Sequence, residues 1–352
     1  MTTNQSNVES IKEYYGEILK DKNDLKTGAC CPVDSMPERL KQIIEKIHPE
    51  VQEKFYGCGS PIPPLIEGKT VLDLGCGTGR DCFILSKLVG TNGKVIGIDM
   101  TDSQLTVAKR YEKYHQKQFD LPNVNTIFIQ GMMEDLASIG IESDTIDVVI
   151  SNCVINLSPF KERVFSEIFR VLKPGGELYF SDIFADRRIP LELRNDPVLL
   201  GECLGGALYR EDFRRLMEKT GFRDHRITHA NRVDLEDEEI IRKIGMVNFT
   251  SETIRAFKLE GLEDRCEDYG QIATYRGGTE ESPHEFRLDD HHLFPKDKPV
   301  PVCGNTASML EETRFGEVFT VSGDRSRHFG FFDCVPASDI RSELNKDKVS
   351  CC

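Results

Sequence analysis

Apolar residues recur every three or four positions in two stretches near the start of the chain, residues 11–20 and 36–57. This spacing predicts amphipathic helices, because it places the apolar side chains on one helix face. A Pro-Ile-Pro-Pro run at 61–64 ends the segment. We therefore expect residues 1–66 to form an N-terminal helical cap.

From Lys69 the pattern changes to short apolar runs that alternate with amphipathic stretches. The runs predict strands at 69–74, 94–99, 124–130, 146–152 and 176–183, and the stretches predict helices at 80–90, 103–119 and 159–173. A Pro-Gly-Gly turn within 172–176 is expected to connect the last helix to the last strand. Strands alternating with helices indicate an α/β fold with a doubly wound, Rossmann-like parallel sheet, which we assign to residues 67–225.

The alternation ends near Arg226, and residues 226–340 predict a smaller α+β domain. It contains a helical piece at 236–257, a short strand at 271–277 and a loop rich in Pro, His and Asp. Within that loop, the Asp-Asp-His-His run at 289–292 is interpreted as a solvated surface segment. Residues 341–352 read as a mobile tail that ends in two cysteines.

Composition narrows the possible partners and location. The 352 residues carry a formal net charge of −14, which argues against a nucleic-acid partner. No stretch approaches the ~20 apolar residues of a membrane span, and no signal peptide is recognisable at the start, so a cytoplasmic protein is expected. Twelve cysteines in a reducing compartment favour soft-ion binding or redox chemistry over structural disulfides.

A glycine-rich loop follows the first predicted strand. It places Gly75, Gly77 and Gly79 between Asp73 and a helix that begins near Arg80. The G-x-G-x-G spacing differs from the G-x-G-x-x-G of dinucleotide-binding proteins. An acidic residue just before the loop would repel a pyrophosphate but can accept the ammonium group of a methionine moiety. Both features favour S-adenosylmethionine over NAD.

The ends of the next strands complete this cofactor site. Asp99 ends the second strand, where a carboxylate can bind ribose hydroxyls. Met133 can pack on a purine ring, and Glu134 can reach the edge of that ring. The predicted cofactor contacts are Tyr14, Asp73, Gly75, Gly77, Gly79, Arg80, Asp99, Met100, Met133, Glu134, Asn152 and Val154.

These motifs carry a family resemblance. The runs VLDLGCGTGRD, IGIDM and LKPGGELYFSD are similar to class I S-adenosylmethionine-dependent methyltransferases. The segments DLKTGACC, FYGCGSPIP, SNCVINLSP and GECLGGALY narrow the resemblance to the arsenite methyltransferases. It implies a class I methyltransferase sheet and methyl transfer from S-adenosylmethionine to trivalent arsenic, giving mono- and dimethylated arsenicals.

Three cysteines are the candidate arsenic ligands: Cys58, Cys153 and Cys203. Cys153 directly follows a strand, at the sheet edge where open α/β folds bind ligands. Three thiolates suit a soft trivalent ion, and the resemblance makes these three the arsenic-binding cysteines. A structural zinc site is a competing interpretation, but no C-x2-4-C pair lies near these three cysteines. An arsenic lone pair carries no proton, so no general base is expected.

The resemblance also implies a redox step. Methylation formally oxidises arsenic, so two electrons are needed to restore the trivalent state. The resemblance implies that Cys30 supplies them by pairing with Cys58 in a disulfide, although the adjacent Cys31 can take the same role. The expected partners are trivalent arsenicals, their thiol conjugates and a thiol reductant such as glutathione or thioredoxin.

Two other functions stay open at this point. One is a class I methyltransferase that acts on carbon, nitrogen or oxygen of a small molecule. The other is a metalloid-binding protein without turnover. Cys76 and Cys82 are expected to be core residues, and Cys266, Cys303 and Cys334 show no recognisable spacing.

Overall fold

The computed structural model describes residues 36–333 except 56, 58, 195, 202 and 236. Predictions for the following residues lie outside this part of the chain: Tyr14, Cys30, Cys31, Cys58, Cys334, Cys351 and Cys352. Helices α1 (Glu38–Ile44) and α2 (Pro49–Glu53) form the described part of the cap. Pro49 starts a new helix because proline is favoured at a first helical position, and this divides the amphipathic run in two.

A central sheet confirms the predicted α/β fold. Its first five strands are β1 (Thr70–Leu74), β2 (Lys94–Asp99), β3 (Thr126–Gln130), β4 (Ile146–Asn152) and β5 (Leu172–Ala185). The helices between them are α3 (Arg80–Val89), α4 (Asp102–Gln118) and α5 (Lys161–Val171). These strands pair in parallel in the order β3-β2-β1-β4-β5. Apolar clusters fill both faces of the sheet, as expected when crossover helices cover a parallel sheet on both sides.

The sheet continues beyond β5 in antiparallel sense. The chain forms α6 (Leu191–Arg194), α7 (Pro197–Gly201), β6 (Leu208–Tyr209), α8 (Arg210–Lys219), β7 (His225–Arg232), α9 (Glu238–Ile244) and β8 (Phe249–Phe257). Strand β8 lies antiparallel between β5 and β7, and β6 pairs with the end of β5. The prediction of helix throughout 236–257 is therefore wrong after Ile244. Gly245 ends α9 at a positive φ of 68°, and the β-branched residues that follow pair with β5.

The C-terminal part forms smaller sheets around one helix. Its elements are β9 (Glu267–Asp268), β10 (Gln271–Tyr275), β11 (Glu285–Arg287), β12 (Leu293–Pro295), β13 (Pro299–Val302), α10 (Gly304–Glu311), β14 (Phe319–Ser322) and β15 (Gly330–Phe331). Strand β10 is the strand predicted at 271–277, and it is central in the order β13-β10-β14. The interpretation of 289–292 as solvated is wrong for Asp289 and His292. Both are buried: they pair with each other, and Asp289 also pairs with Arg226 of β7.

Strand β5 joins the two parts of the molecule. The predicted Pro-Gly-Gly turn is incorporated into this strand, with Gly175 at a φ of 76° and its N–H donating to the carbonyl of Lys258. Glu177 is fully buried and forms ion pairs with Arg255 of β8, at 2.5 Å, and with Arg314. Buried carboxylates require such partners, so the C-terminal part is tied to the central sheet here. No helix in the described range is long and apolar enough to cross a membrane.

Candidate active site

The glycine loop leaves β1 and enters α3 through three residues with left-handed backbone. Gly75, Gly77 and Gly79 have φ values of 71°, 54° and 84°. A Cβ atom at Gly75 would lie 2.4 Å from Cγ1 of Val154, whereas a Cβ atom at Gly77 would meet nothing within 4 Å. Gly75 is thus required by both its backbone angle and its close contact, and Gly77 by its backbone angle alone.

Two carboxylates flank this loop, Asp73 buried and Asp99 half-buried. Asp99 accepts hydrogen bonds from the N–H groups of Gly77, at 2.9 Å, and Thr101, at 2.8 Å, and so fixes the loop against the end of β2. Asp73 accepts one from the thiol of Cys82 at 3.2 Å. Burial, reinforced by the negative charge of Asp81, raises the pKa of Asp73 to about 8, and burial also raises that of Asp99. A cation placed between them would offset this accumulation of negative charge.

A cavity of about 1080 Å³, counted to its open mouth, lies over the carboxyl ends of β1, β2 and β4. Such a volume accommodates a nucleoside-sized ligand. The predicted cofactor contacts that line it are Asp73, Gly75, Gly77, Asp99, Met100, Met133, Glu134, Asn152 and Val154. The cavity also has lining residues that sequence reasoning missed, among them Phe55, Thr101, Gln104, Met132 and Ser158. Phe55 follows helix α2 of the cap, and the other four lie in segments that follow strands β2, β3 and β4. None belongs to a distinctive motif, but for those four the position after a strand was a usable signal.

Among the described residues, two predicted cofactor contacts do not line the cavity. Gly79 caps the start of α3, and a Cβ atom there would lie 2.9 Å from the ring of Phe128. Arg80 is buried, bonds Asp81 and stacks 3.2 Å above the ring centroid of Phe55. Arg80 therefore packs behind Phe55, which lines the cavity, whereas Gly79 sets the start of the helix that follows the loop.

One buried polar atom of the cavity suits the predicted cofactor. Oε2 of Glu134 is buried and lacks a hydrogen-bond partner among the described atoms, while Oε1 of the same side chain accepts from Ser158. Buried polar atoms are ordinarily satisfied, so an unpaired acceptor in a pocket points to a donor on the ligand. The amino group of an adenine is such a donor. The residues present therefore fit S-adenosylmethionine.

Cys153 and Cys203 meet at the edge of this cavity. The Cys203 thiol donates to the backbone carbonyl of Cys153 at 2.8 Å, and both side chains are nearly fully buried. Their sulfurs and a carboxylate oxygen of Asp182 lie within 4.8 Å of one another. Cys153 also lines the cavity, so the cysteine pair lies next to the space assigned to the cofactor.

The backbone at both cysteines is unusual. Cys153 and Cys203 have φ values of 58° and 64°, in the left-handed region that non-glycine residues seldom occupy. Conformations of this kind persist where the surrounding structure imposes them, and they concentrate at functional sites. Cys153 is disulfide-bonded, whereas Cys203 is a reduced thiol.

The residues on either side of Cys58 lie against β4. Asn152 donates to the carbonyl of Gly59 at 2.9 Å and accepts from its N–H at 3.1 Å. A Cβ atom at Gly57 would lie 2.6 Å from the Asn152 amide nitrogen. The two described neighbours of Cys58 thus contact the residue that immediately precedes Cys153.

Asp182 was missed by the sequence analysis. It lies near the end of β5 and accepts from both the backbone N–H and the side-chain amide of Asn156, at 3.0 and 2.7 Å. Burial raises the pKa of Asp182 to about 7. Lys161 donates to the Asn156 carbonyl at 2.9 Å, which adds a cation to this group. This network fixes the turn that follows Cys153. Asp182 reaches that turn because β5 pairs with β4, a contact between distant parts of the sequence.

Comparisons with known proteins extend this picture. A methyltransferase domain model matches residues 65–221, and an arsenite methyltransferase C-terminal domain model matches residues 269–341. An arsenite methyltransferase of Aquipseudomonas alcaligenes is 51% identical over 325 residues, which cover 92% of this chain and 93% of that protein. The chain belongs to the arsenite methyltransferase family.

Other family members agree over similar lengths. The arsenite methyltransferase of Homo sapiens is 41% identical over 88% of this chain and 82% of its own length. The crystal structure of an arsenic(III) S-adenosylmethionine methyltransferase from Chlamydomonas reinhardtii matches with a TM-score of 0.83 and 49% identity, covering 85% of this chain and 100% of that one. The family, the enzyme class, the arsenic methylation and the S-adenosylmethionine cofactor predicted from the sequence are thereby confirmed.

Proposed function

We propose that this member of the arsenite methyltransferase family binds trivalent arsenic through Cys58, Cys153 and Cys203 and methylates it from S-adenosylmethionine held in the adjoining cavity. The observation that carries the proposal is the position of Cys153, which both lines the cofactor cavity and contacts Cys203. Soft sulfur ligands select trivalent arsenic over hard ions. The contacts of Gly57 and Gly59 with Asn152 bring the chain on both sides of Cys58 to the same place.

The cofactor residues have distinct roles in this proposal. Asp73 would accept the ammonium group of the methionine moiety, Asp99 the ribose hydroxyls, and Glu134 the adenine amino group. When bound, S-adenosylmethionine supplies a methyl group on a sulfonium leaving group. The protein then contributes mainly by orientation, since effective alignment of two reactants accounts for ~7–11 kcal/mol of barrier lowering in favourable cases. No described Ser-His-Asp or Cys-His arrangement lies at the cavity, and an acceptor without a proton requires none.

The disulfide at Cys153 sets a further requirement. A sulfur in a disulfide cannot act as a thiolate ligand, so two electrons and two protons must first convert the disulfide to two thiols. A thiol reductant of the glutathione or thioredoxin class would supply them and would itself be oxidised to a disulfide. We therefore include such a reductant among the partners, and we place the reaction in a reducing, cytoplasmic compartment.

The test is methyl transfer from a labelled cofactor. The full chain is incubated with arsenite, a thiol reductant and methyl-labelled S-adenosylmethionine, and label on arsenic is measured by chromatography with elemental detection. Cys153→Ser and Cys203→Ser should each abolish transfer, since each removes one of the three ligands. Cys266→Ser should retain it, because Cys266 does not line the cavity.

Cofactor binding is measured on the same variants by calorimetry. A Cys153→Ser protein that binds the cofactor and still labels arsenic at the wild-type rate would contradict the ligand assignment. Label on an organic acceptor in place of arsenic would contradict the substrate.

A further inference from the structure

Two other cysteines come together in the C-terminal part of the chain. Cys303 precedes helix α10 and caps its N-terminus, and Cys266 immediately precedes β9. They are 37 positions apart in sequence, and neither lines the cofactor cavity. Both are reduced thiols, and their side chains are hydrogen-bonded to each other.

Cys303 lies in a setting that favours a thiolate. Its side chain is fully buried, and its sulfur accepts from the N–H of Thr306 at 3.5 Å and lies 3.2 Å from the Thr306 hydroxyl. Nη2 of Arg226 donates to the same sulfur at 3.9 Å. A helix N-terminus and an arginine both stabilise negative charge on sulfur.

The pKa of Cys303 reflects this setting. The hydrogen bond from Cys266 is the largest influence and lowers the pKa. Burial acts in the opposite direction, and the charge of Arg226 again lowers it, with the result that the pKa falls to about 4. By contrast, burial raises the pKa of Cys76 to about 11, although Cys76 also contacts a second cysteine, Cys82. Contact between two thiols is therefore not sufficient to produce the effect.

A polar network fixes Arg226 beside Cys303. Its guanidinium pairs with Asp224 at 2.7 Å and with Asp289 at 3.6 Å. Asp289 is in turn paired with His292 at 2.8 Å, and the other ring nitrogen of that histidine is 3.5 Å from the Thr306 hydroxyl. These groups face Cys303 from β7, from the 289–292 segment and from α10. Of these groups, Asp289 and His292 belong to the 289–292 run that the sequence analysis interpreted as a solvated surface segment.

Exposure differs between the two cysteines. Cys266 is partly exposed, whereas Cys303 is inaccessible. A reagent from solvent can therefore reach Cys266 but cannot reach Cys303 directly. Cys266 can thus meet an oxidant from solvent, and the Cys303 thiolate beside it can accept the proton of Cys266 and then attack the mixed disulfide that forms.

We propose that Cys266 and Cys303 form a second redox site, which is oxidised by small-molecule disulfides to a Cys266–Cys303 disulfide. Cys266 attacks the disulfide RSSR and passes its proton along the hydrogen bond to the Cys303 thiolate, which gives a mixed disulfide on Cys266 and releases RS⁻. Cys303 then attacks the Cys266 sulfur, and its proton leaves with the second RS group as RSH. Two cysteine thiols are oxidised, and one disulfide is reduced to two thiols.

Mass spectrometry of the full chain tests this proposal. The protein is equilibrated in mixtures of reduced and oxidised glutathione, quenched with N-ethylmaleimide and digested with trypsin. Cleavage at Arg and Lys isolates residues 266–276 and 297–314, because Lys298 precedes proline, and Cys334 falls in a separate peptide. A disulfide joining these two peptides is expected, with Cys76 and Cys82 alkylated only after denaturation.

Variants separate a redox site from simple proximity. In Cys303→Ser, Cys266 should accumulate as the mixed disulfide with glutathione, because the resolving thiol is missing. Thr306→Ala removes a hydrogen bond to the Cys303 thiolate and so weakens the reduced form. The disulfide should then form at roughly three- to tenfold less oxidised glutathione, the change that one lost hydrogen bond gives in an equilibrium constant.

Three outcomes would overturn the proposal. One is no linked peptide in any mixture for the wild type. Another is a link from Cys266 to Cys334 in place of Cys303. The third is an unchanged midpoint in Thr306→Ala, provided that circular dichroism shows the variant folded. Arsenite methylation is not used as a readout, so failure here leaves the proposed function untouched.

Discussion

Replacing Gly75 by alanine separates backbone strain from side-chain contact in the glycine loop. Gly75 and Gly77 both have left-handed backbone, so alanine at either position costs about 1–2 kcal/mol of stability. Only at Gly75 would the new methyl group also overlap Val154, at 2.4 and 2.6 Å from its two methyl carbons. Overpacking of this kind costs about 1–3 kcal/mol more. We expect Gly75→Ala to lose about 2–5 kcal/mol and Gly77→Ala about 1–2 kcal/mol.

Urea denaturation of the cofactor-free protein measures the difference. The chain has no tryptophan, so unfolding is followed by far-ultraviolet circular dichroism. The double variant Gly75→Ala/Val154→Ala removes the two overlapping methyl carbons but leaves Cβ of residue 154 at 2.8 Å. It should therefore recover part of the lost stability in a double-mutant cycle. Equal losses in the two glycine variants, or a cycle with no coupling, would refute the argument from contact.

Three further predictions follow from the buried charges and the disulfide. Asp73 has a pKa of about 8 in the cofactor-free protein, so its carboxyl is largely protonated at pH 7 and must lose that proton to bind an ammonium group. Calorimetry should show that the cofactor binds more tightly as pH rises from 6 to 8, and Asp73→Asn should bind weakly at every pH. Glu177→Gln breaks a buried pair with Arg255 and should lower the unfolding free energy by about 3–5 kcal/mol, whereas Glu317→Gln, at an exposed ion pair, should leave it almost unchanged. Omitting the thiol reductant should stop arsenic methylation, because Cys153 is disulfide-bonded; full activity without reductant would argue against its role as a ligand.

Periodicity was sufficient to predict the first five strands and their helices. A parallel strand buried between crossover helices is a short apolar run, which can be recognised from its own residues. The glycine loop is recognisable because its left-handed backbone demands glycine. Strand β8 was misread because its apolar residues follow a real helix without an obvious turn. Its strand character comes from pairing between β5 and β7, which are distant in sequence.

Predictions for the site depended on how local each signal was. Cys153 and Cys203 were singled out from their segments, and in the structure the two residues contact each other at the cavity edge. Asp182 and the Cys266–Cys303 pair were not found, since each depends on sheet register or on contacts across many residues. The 289–292 run illustrates the same limit. Four consecutive polar residues predict a solvated loop unless the arginine that pairs with Asp289 is known.

Through strand β5, the C-terminal part of the chain is connected to the turn that follows Cys153. Glu177, which the C-terminal Arg314 neutralises, is five residues from Asp182, a separation of about 17 Å along a strand. An isolated catalytic half that ended before Arg314 would leave that carboxylate buried with one cation fewer. The unpaired charge would act on the strand whose far end holds the turn after Cys153, the proposed arsenic ligand. A shortened chain should therefore lose methyl transfer to arsenic before it loses binding of S-adenosylmethionine.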